Sequence, residues 1–174
     1  CKIVAHTHAD ALIAITNTAD GLNRVREVYG NRVVFIPYVM PGFKLARLCA
    51  ELYPKMAGAN TIGLVLMNHG LFTFGDTAKV AYERMIDLVT RAETYLARNK
   101  AWDLNPPAAV PASRPARVEI AALRKEISAA MGAPVILAVQ GSASGHDFAR
   151  RNDVATISQQ GPATPDHVIR TKRI

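Results

Sequence analysis

Two histidines separated by one residue, His6 and His8 in Lys2-Ile3-Val4-Ala5-His6-Thr7-His8, and a third in Met67-Asn68-His69-Gly70 are the side chains here best suited to holding a metal ion. On a strand, residues two apart project from the same face, so two imidazoles can converge on one point. The apolar run Gly63-Leu64-Val65-Leu66-Met67 reads as a buried strand that delivers His69 at its carboxyl end, beside a glycine that lets backbone approach closely. An imidazole placed behind such a run needs a metal or a hydrogen-bond acceptor to offset its desolvation. Three neutral imidazoles with an open fourth position suit a catalytic zinc. On spacing alone, a hydrogen-bonded structural role for these histidines stands beside the metal reading.

Other candidate sites are weaker. Gly141-Ser142-Ala143-Ser144-Gly145 falls between a predicted strand and a predicted helix, where backbone N–H groups can cradle phosphate. It lacks the lysine of a phosphate-binding loop and does not complete GxGxxG, so it reads as a flexible loop. Asp166-His167, with Arg170, Lys172 and Arg173, could orient an imidazole and bind an anion; a capped turn and a solvated basic tail explain the same residues. His146 sits at a predicted helix start with no partner set, and no Ser-His-Asp or Cys-His constellation assembles.

Stepping outward to what must carry these groups, 174 residues with 49% hydrophobic content suit one domain of ordinary size with an appendage. No apolar stretch approaches the length of a membrane span, and no signal-peptide pattern opens the chain, so a cytoplasmic protein is expected. The two cysteines, Cys1 and Cys49, form no framework, and Cys49 reads as a small hydrophobe on a helix. The net charge of +7 is spread along the chain: residues 1–100 hold 12 basic and 8 acidic side chains, and residues 101–174 hold 9 and 6. With no basic stripe and no recognition motif, nucleic acid is not expected as a partner, and a small anionic substrate fits better.

The pattern predicts a strand over 2–8, a helix from Ala9-Asp10 to Thr16, and a polar helix or loop over 23–29. A strand over 32–37 and a helix from 43 to 52 ended by Pro54 follow. After the strand that carries His69, Gly75-Asp76-Thr77 opens a long amphipathic helix to Arg98. Its inward stripe is Ala81, Met85, Leu88, Val89, Ala92 and Leu96, with Glu83, Arg84, Asp87, Arg91 and Glu93 on the wet face. The proline-rich stretch around Pro106 to Pro115 reads as a linker. The expected organisation is a core over 1–100, a linker over 101–116 and an extension over 117–174. The extension would hold a helix at 117–131, a strand at 134–139, a helix at 145–151 and a strand at 153–158.

His6-Thr7-His8-Ala9-Asp10, the turn from Ile36-Pro37-Tyr38 to Pro41-Gly42-Phe43, and Leu66-Met67-Asn68-His69-Gly70-Leu71-Phe72-Thr73-Phe74-Gly75 together resemble the class II aldolase/adducin family, including the interval of 63 positions from His6 to His69. The resemblance implies a three-layer αβα fold with a largely antiparallel central sheet, plus a small α/β C-terminal extension. It implies Zn2+ on His6, His8 and His69, with Thr7, Asp10 or Asn68 as hydrogen-bond partners that fix the imidazole tautomers. It further implies a small phosphorylated sugar as substrate and a homo-oligomer, commonly a tetramer.

The segment Gly161-Pro162-Ala163-Thr164-Pro165-Asp166-His167-Val168-Ile169-Arg170-Thr171-Lys172-Arg173 is similar to the extension of bifunctional rhamnulose-1-phosphate aldolase/short-chain dehydrogenase proteins. That likeness implies cleavage of a ketose 1-phosphate, rhamnulose 1-phosphate, to dihydroxyacetone phosphate and lactaldehyde, with NAD belonging only to a downstream dehydrogenase domain. His167, Arg170 and Lys172 are the candidate anion-binding groups. The family's phosphate loop and acidic catalytic residue lie upstream of the HxH strand, so the catalytic acid has no counterpart after Cys1, and the chain is expected to be a fragment with negligible turnover. Zinc sugar-phosphate epimerases, a dehydratase and an adducin-like binding module share the scaffold and are the competing readings.

Overall fold

The computed structural model describes residues 2–103, 117–139 and 142–170. The chain clusters into two compact units, one formed by residues 1–104 with 158–174 and the other by residues 105–157.

The first unit is built on a four-stranded sheet whose two faces are both covered. Its strands are β1 (Ile3–Thr7), β2 (Val33–Ile36), β3 (Gly63–Leu66) and β4 (Gly70–Gly75), in the order β1-β4-β3-β2. β1 and β3 each run antiparallel to β4, and β2 runs parallel to β3. Alternation along the strands sorts the side chains into two cores. Val33, Val65 and Leu71 pack with α1 (Asp10–Thr16), α2 (Gly21–Tyr29) and α4 (Ala78–Arg98), while Val34, Ile36 and Leu66 pack against α3 (Phe43–Met56). The result is the expected αβα layering with a largely antiparallel sheet.

The long helix behaves as its periodicity requires: Ala81, Met85, Leu88, Ala92 and Leu96 are buried against the sheet. Its start is fixed by Thr77, whose side chain accepts a hydrogen bond from the Val80 backbone N–H. Two buried hydroxyls in this layer are paired, Thr73 Oγ1 donating to the Ala81 carbonyl at 2.8 Å and the Tyr29 hydroxyl to the Leu88 carbonyl at 3.1 Å. On the wet side, Asp87 holds both Arg32 and Arg91.

Several elements differ from the sequence expectation. Pro54 lies inside α3, which continues to Met56. A proline removes the N–H that would bond back one turn and crowds the carbonyl four residues earlier, yet only two residues of α3 follow Pro54, and the Ala57 N–H still closes the last turn on the Tyr53 carbonyl. β4 was not anticipated: Leu71-Phe72-Thr73-Phe74 alternates across the sheet and forms a hairpin with β3 through the turn at Met67–His69. The polar segment near residue 23 is helical from Gly21, where a Cβ would press on the Thr16 carbonyl oxygen at 2.6 Å.

The second unit contains α5 (Arg117–Met131), α6 (Ala143–Ala149) and α7 (Val154–Ile157). The strand expected over 134–139 is not formed. Ile136 is 93% exposed there, and the segment is held from α5 instead, with Arg124 Nε donating to the Val135 carbonyl and the Val135 N–H to Ser128 Oγ. The strand expected over 153–158 is a helical turn, because the Asp153 carbonyl accepts from the Thr156 and Ile157 N–H groups. Local capping overrides the β-preference of Val154, Thr156 and Ile157 where no neighbouring strand is available to pair. The regular elements among the extension's described residues are thus helices, with residues 134–139 irregular. Most of the proline-rich linker, and Gly141 of the glycine-serine loop, lie outside them.

After a 3-10 turn over Ser158–Gln160, the chain enters α8 (Pro165–Arg170), which belongs to the first unit.

Candidate metal centre

His6 lies on β1 opposite Phe72 of β4, and its ring stacks on the Phe72 ring at 4.0 Å between centroids. His8 follows just beyond the end of β1, and His69 closes the turn between β3 and β4. The strand period and the hairpin bring the three rings together. Centroid separations are 4.7 Å for His6–His8, 5.4 Å for His6–His69 and 5.0 Å for His8–His69, and one ligand nitrogen from each lies within 4.8 Å of the others.

The turn is shaped for this convergence. Asn68 takes a left-handed backbone conformation, φ 58°, which asparagine tolerates better than most residues. Its amide donates to the Thr16 carbonyl and to Asn17 Oδ1, tying the turn to the end of α1. At Gly70 any Cβ would collide with the Thr7 carbonyl oxygen and crowd His8 Cδ2 at 3.1 Å and His6 Cε1 at 3.2 Å. Only glycine leaves that space free.

The hydrogen bonds assign the tautomers. His6 Nδ1–H donates to the Leu71 carbonyl oxygen at 2.9 Å, so the neutral ring presents a bare Nε2. His8 Nδ1–H donates to Asp166 Oδ2 at 2.8 Å, so its Nε2 is bare as well. These two nitrogens stand 3.0 Å apart. Two lone pairs facing each other at that distance repel unless a proton or a metal cation lies against them. One ring nitrogen of His69 lies within 4.8 Å of ligand nitrogens of His6 and His8, and His69 Nδ1 is buried without a hydrogen-bond partner among the described residues. Two nitrogens on one tetrahedral zinc, at bonds of about 2.0–2.1 Å, stand about 3.3 Å apart, close to the spacing seen here. The donor set fits a divalent transition metal.

Electrostatics favour the neutral form of His6 and His69. Burial lowers the pKa of His6, with the Leu71 hydrogen bond opposing it and the neighbouring His8 adding to it. Burial likewise lowers His69, reinforced by His6 and His8. The hydrogen bond from His8 holds the Asp166 carboxyl below the usual carboxylate range, with Arg170 contributing.

Beside the triad is a pocket of about 500 Å³ between α3 and the sheet, which His6 and His69 line together with Leu45, Cys49, Tyr53 and Phe72. Cys49 is a half-buried thiol on α3, its pKa raised by burial.

Thr7, Asp10 and Asn68, expected to fix the imidazole tautomers, are placed elsewhere. Thr7 faces away from His6 and His8 by strand alternation, Asp10 is exposed in the first turn of α1, and the Asn68 amide is spent on Thr16 and Asn17. Among the described residues none of the three hydrogen-bonds an imidazole. The groups that do are the Leu71 carbonyl and Asp166. Of the candidate anion-binding residues, His167 packs against Thr164 with Nδ1 and Oγ1 2.5 Å apart, Arg170 is exposed, and Lys172 lies outside the described residues.

Residues 1–96 match the sequence model of the Class II Aldolase and Adducin N-terminal domain, and residues 114–174 match that of the Aldolase class II second domain. A curated relative, the "Uncharacterized oxidoreductase YuxG" of Bacillus subtilis (strain 168), is 32% identical over 180 residues, covering 99% of this chain and 26% of its own length. The chain therefore spans about a quarter of that relative. Among solved structures, the N-terminal Class II Aldolase domain of a conserved protein from Thermoplasma acidophilum is 44% identical, with TM-score 0.47 over 53% of this chain and 41% of that one. A sugar-phosphate aldolase from Thermotoga maritima is 20% identical, with TM-score 0.47 over 59% and 47%. No described helix is long and apolar enough to cross a membrane.

Proposed function

Since the chain belongs to the class II aldolase and adducin family, we propose that it carries the metal-binding part of a zinc-dependent aldolase acting on a ketose 1-phosphate, with rhamnulose 1-phosphate as the preferred candidate. The observation that carries this reading is the triad itself: two imidazole nitrogens 3.0 Å apart, both left bare in the neutral rings by hydrogen bonds on the far side, with a nitrogen of His69 within 4.8 Å of the other two rings' ligand atoms.

His6, His8 and His69 would hold the ion, and when bound it supplies Lewis acidity that polarises a substrate carbonyl without a Schiff-base lysine. The chain's own residues do the rest of the positioning. Leu71 and Asp166 hold two rings in the tautomer that offers Nε2, and Gly70 leaves room for the rings to meet. Leu45, Phe72 and Tyr53 give the pocket beside His6 and His69 an apolar wall. Retention of all three imidazoles favours a catalytic role over an adducin-like binding module. The oxidoreductase name of the longer relative is compatible with an aldolase joined to an NAD-dependent dehydrogenase.

Zinc titration of the purified chain, followed by competition with a chromophoric chelator, tests the metal reading. One ion per chain is expected, and His6→Ala, His8→Ala and His69→Ala should each abolish or severely weaken binding. Zinc uptake unaffected by all three substitutions overturns it. The substrate is tested in the full-length protein, where release of dihydroxyacetone phosphate from rhamnulose 1-phosphate should require the same three histidines.

A further inference from the structure

The metal-facing geometry of His8 is set from the far end of the sequence. We infer that Asp166 is a positioning residue of the metal centre: its carboxylate fixes the Nδ1–H tautomer and ring orientation of His8, so that α8 completes a site otherwise built from β1 and the β3–β4 turn. The inference rests on the metal reading above and extends it to a residue that touches neither the ion nor the substrate.

Three observations carry it. First, Asp166 Oδ2 accepts from His8 Nδ1 at 2.8 Å, a charge-assisted contact on the side of the ring away from the cluster. Second, the opposite nitrogen of the same ring, Nε2, is the one that meets His6 Nε2 at 3.0 Å, so the carboxylate and the cluster lie on the two ends of one imidazole. A carboxylate accepts and cannot donate when ionised, which places the proton of the neutral ring on Nδ1 and leaves its Nε2 bare. Third, the segment bearing Asp166 is seated on the first unit by other contacts. Thr164 is 8% exposed, and Asn17 Nδ2 donates to the Ala163 carbonyl at 3.0 Å. Asn17 also accepts from Asn68, next to His69 in the metal-binding turn. The placement of Asp166 is therefore tied to that of the turn it serves.

A ligating histidine whose second nitrogen donates to a carboxylate is both oriented and made a stronger donor, and loss of such a partner costs about 10–100-fold in metal affinity. Replacing Asp166 by Asn keeps an acceptor oxygen but removes the charge, whereas Ala removes both. The chain with Asp166→Ala should bind Zn2+ about 10–100-fold more weakly than wild type in chelator competition, with Asp166→Asn between the two. Long-range proton–nitrogen NMR spectra of the imidazoles supply a readout that a merely structural contact would not move. In the metal-free wild type His8 should be the Nδ1–H tautomer, and in Asp166→Ala it should shift toward a mixture while His6 keeps its own tautomer. Zinc affinity equal to wild type in both variants overturns the inference while leaving the metal reading intact. So does a wild-type spectrum showing His8 as the Nε2–H tautomer, a result that does not depend on how the variants fold. A wild-type chain that takes up no zinc overturns the metal reading first and this inference with it.

Discussion

At the scale of single residues, the centre depends as much on a missing side chain as on the three that are present. Gly70 faces the Thr7 carbonyl oxygen of the neighbouring strand and the rings of His6 and His8, and a methyl group there has nowhere to go. Gly70→Ala is expected to push β1 from β4, destabilising the chain by about 1–3 kcal/mol and lowering zinc affinity. Denaturant midpoints and chelator competition measure the two effects, and an unchanged zinc affinity would show that strand spacing does not set the site. The period-2 pair, the apolar run before His69 and the glycine after it were all legible in the sequence, because each follows from local strand geometry. The partner of His8 was not: 158 positions separate it from Asp166, and the sequence said only that Asp166-His167 could orient some imidazole. Asn68 was misread for the opposite reason. Its neighbour on the chain joins the histidine cluster, but its left-handed backbone turns its own amide toward α1.

At the scale of elements, what was readable was whatever a single helix or strand decides for itself. The stripe of α4 and the span of α5 agree with the sequence pattern, since the 3.6-residue period fixes both the face and the extent. The hairpin strand β4 was missed because its alternation of Leu71, Phe72, Thr73 and Phe74 lay inside a stretch read for its histidine. The segments over 134–139 and 153–158 carry β-branched residues but no strand to pair with, so their backbone groups find helical or side-chain partners instead. Helix starts are the testable counterpart of this local logic. Thr77 alone caps the first turn of the helix that covers the sheet face behind the centre. Thr77→Ala should cost about 1 kcal/mol, seen as a melting temperature lower by several degrees, with zinc affinity unchanged because no histidine contacts that turn. A loss of zinc binding in this variant would mean that the site is coupled to the helix end after all.

At the scale of the whole molecule, the same desolvation that prepares the rings for a metal makes the metal-free chain sensitive to acid. His6 and His69 have lowered pKa values, chiefly through burial, so on acidification the unfolded chain takes up protons first. Stability therefore rises with pH across the interval between their lowered native values and the ordinary histidine value of about 6.5. It is fully present above that value and is lost as pH falls through the interval. The carboxylates do not blur this window. Glu51, Asp153 and Asp166 are also lowered, and their contributions disappear only below the ordinary carboxylate range of about 4. Above the carboxylate range and below about pH 6.5 the slope thus belongs largely to His6 and His69, and His69→Ala should flatten it. Zinc bound as proposed would add a second, steeper dependence, since protons compete with the ion for the ligand nitrogens. At neutral pH, free Zn2+ at 100 times its dissociation constant should stabilise the chain by about 2.7 kcal/mol, and that increment should shrink toward zero in the same acid window where the metal-free chain weakens. Thermal melts with zinc and with a chelator, taken from pH 5 to 8, measure both. An increment that persists undiminished at pH 5, or one retained by His69→Ala, would place the bound zinc on groups other than these three imidazoles.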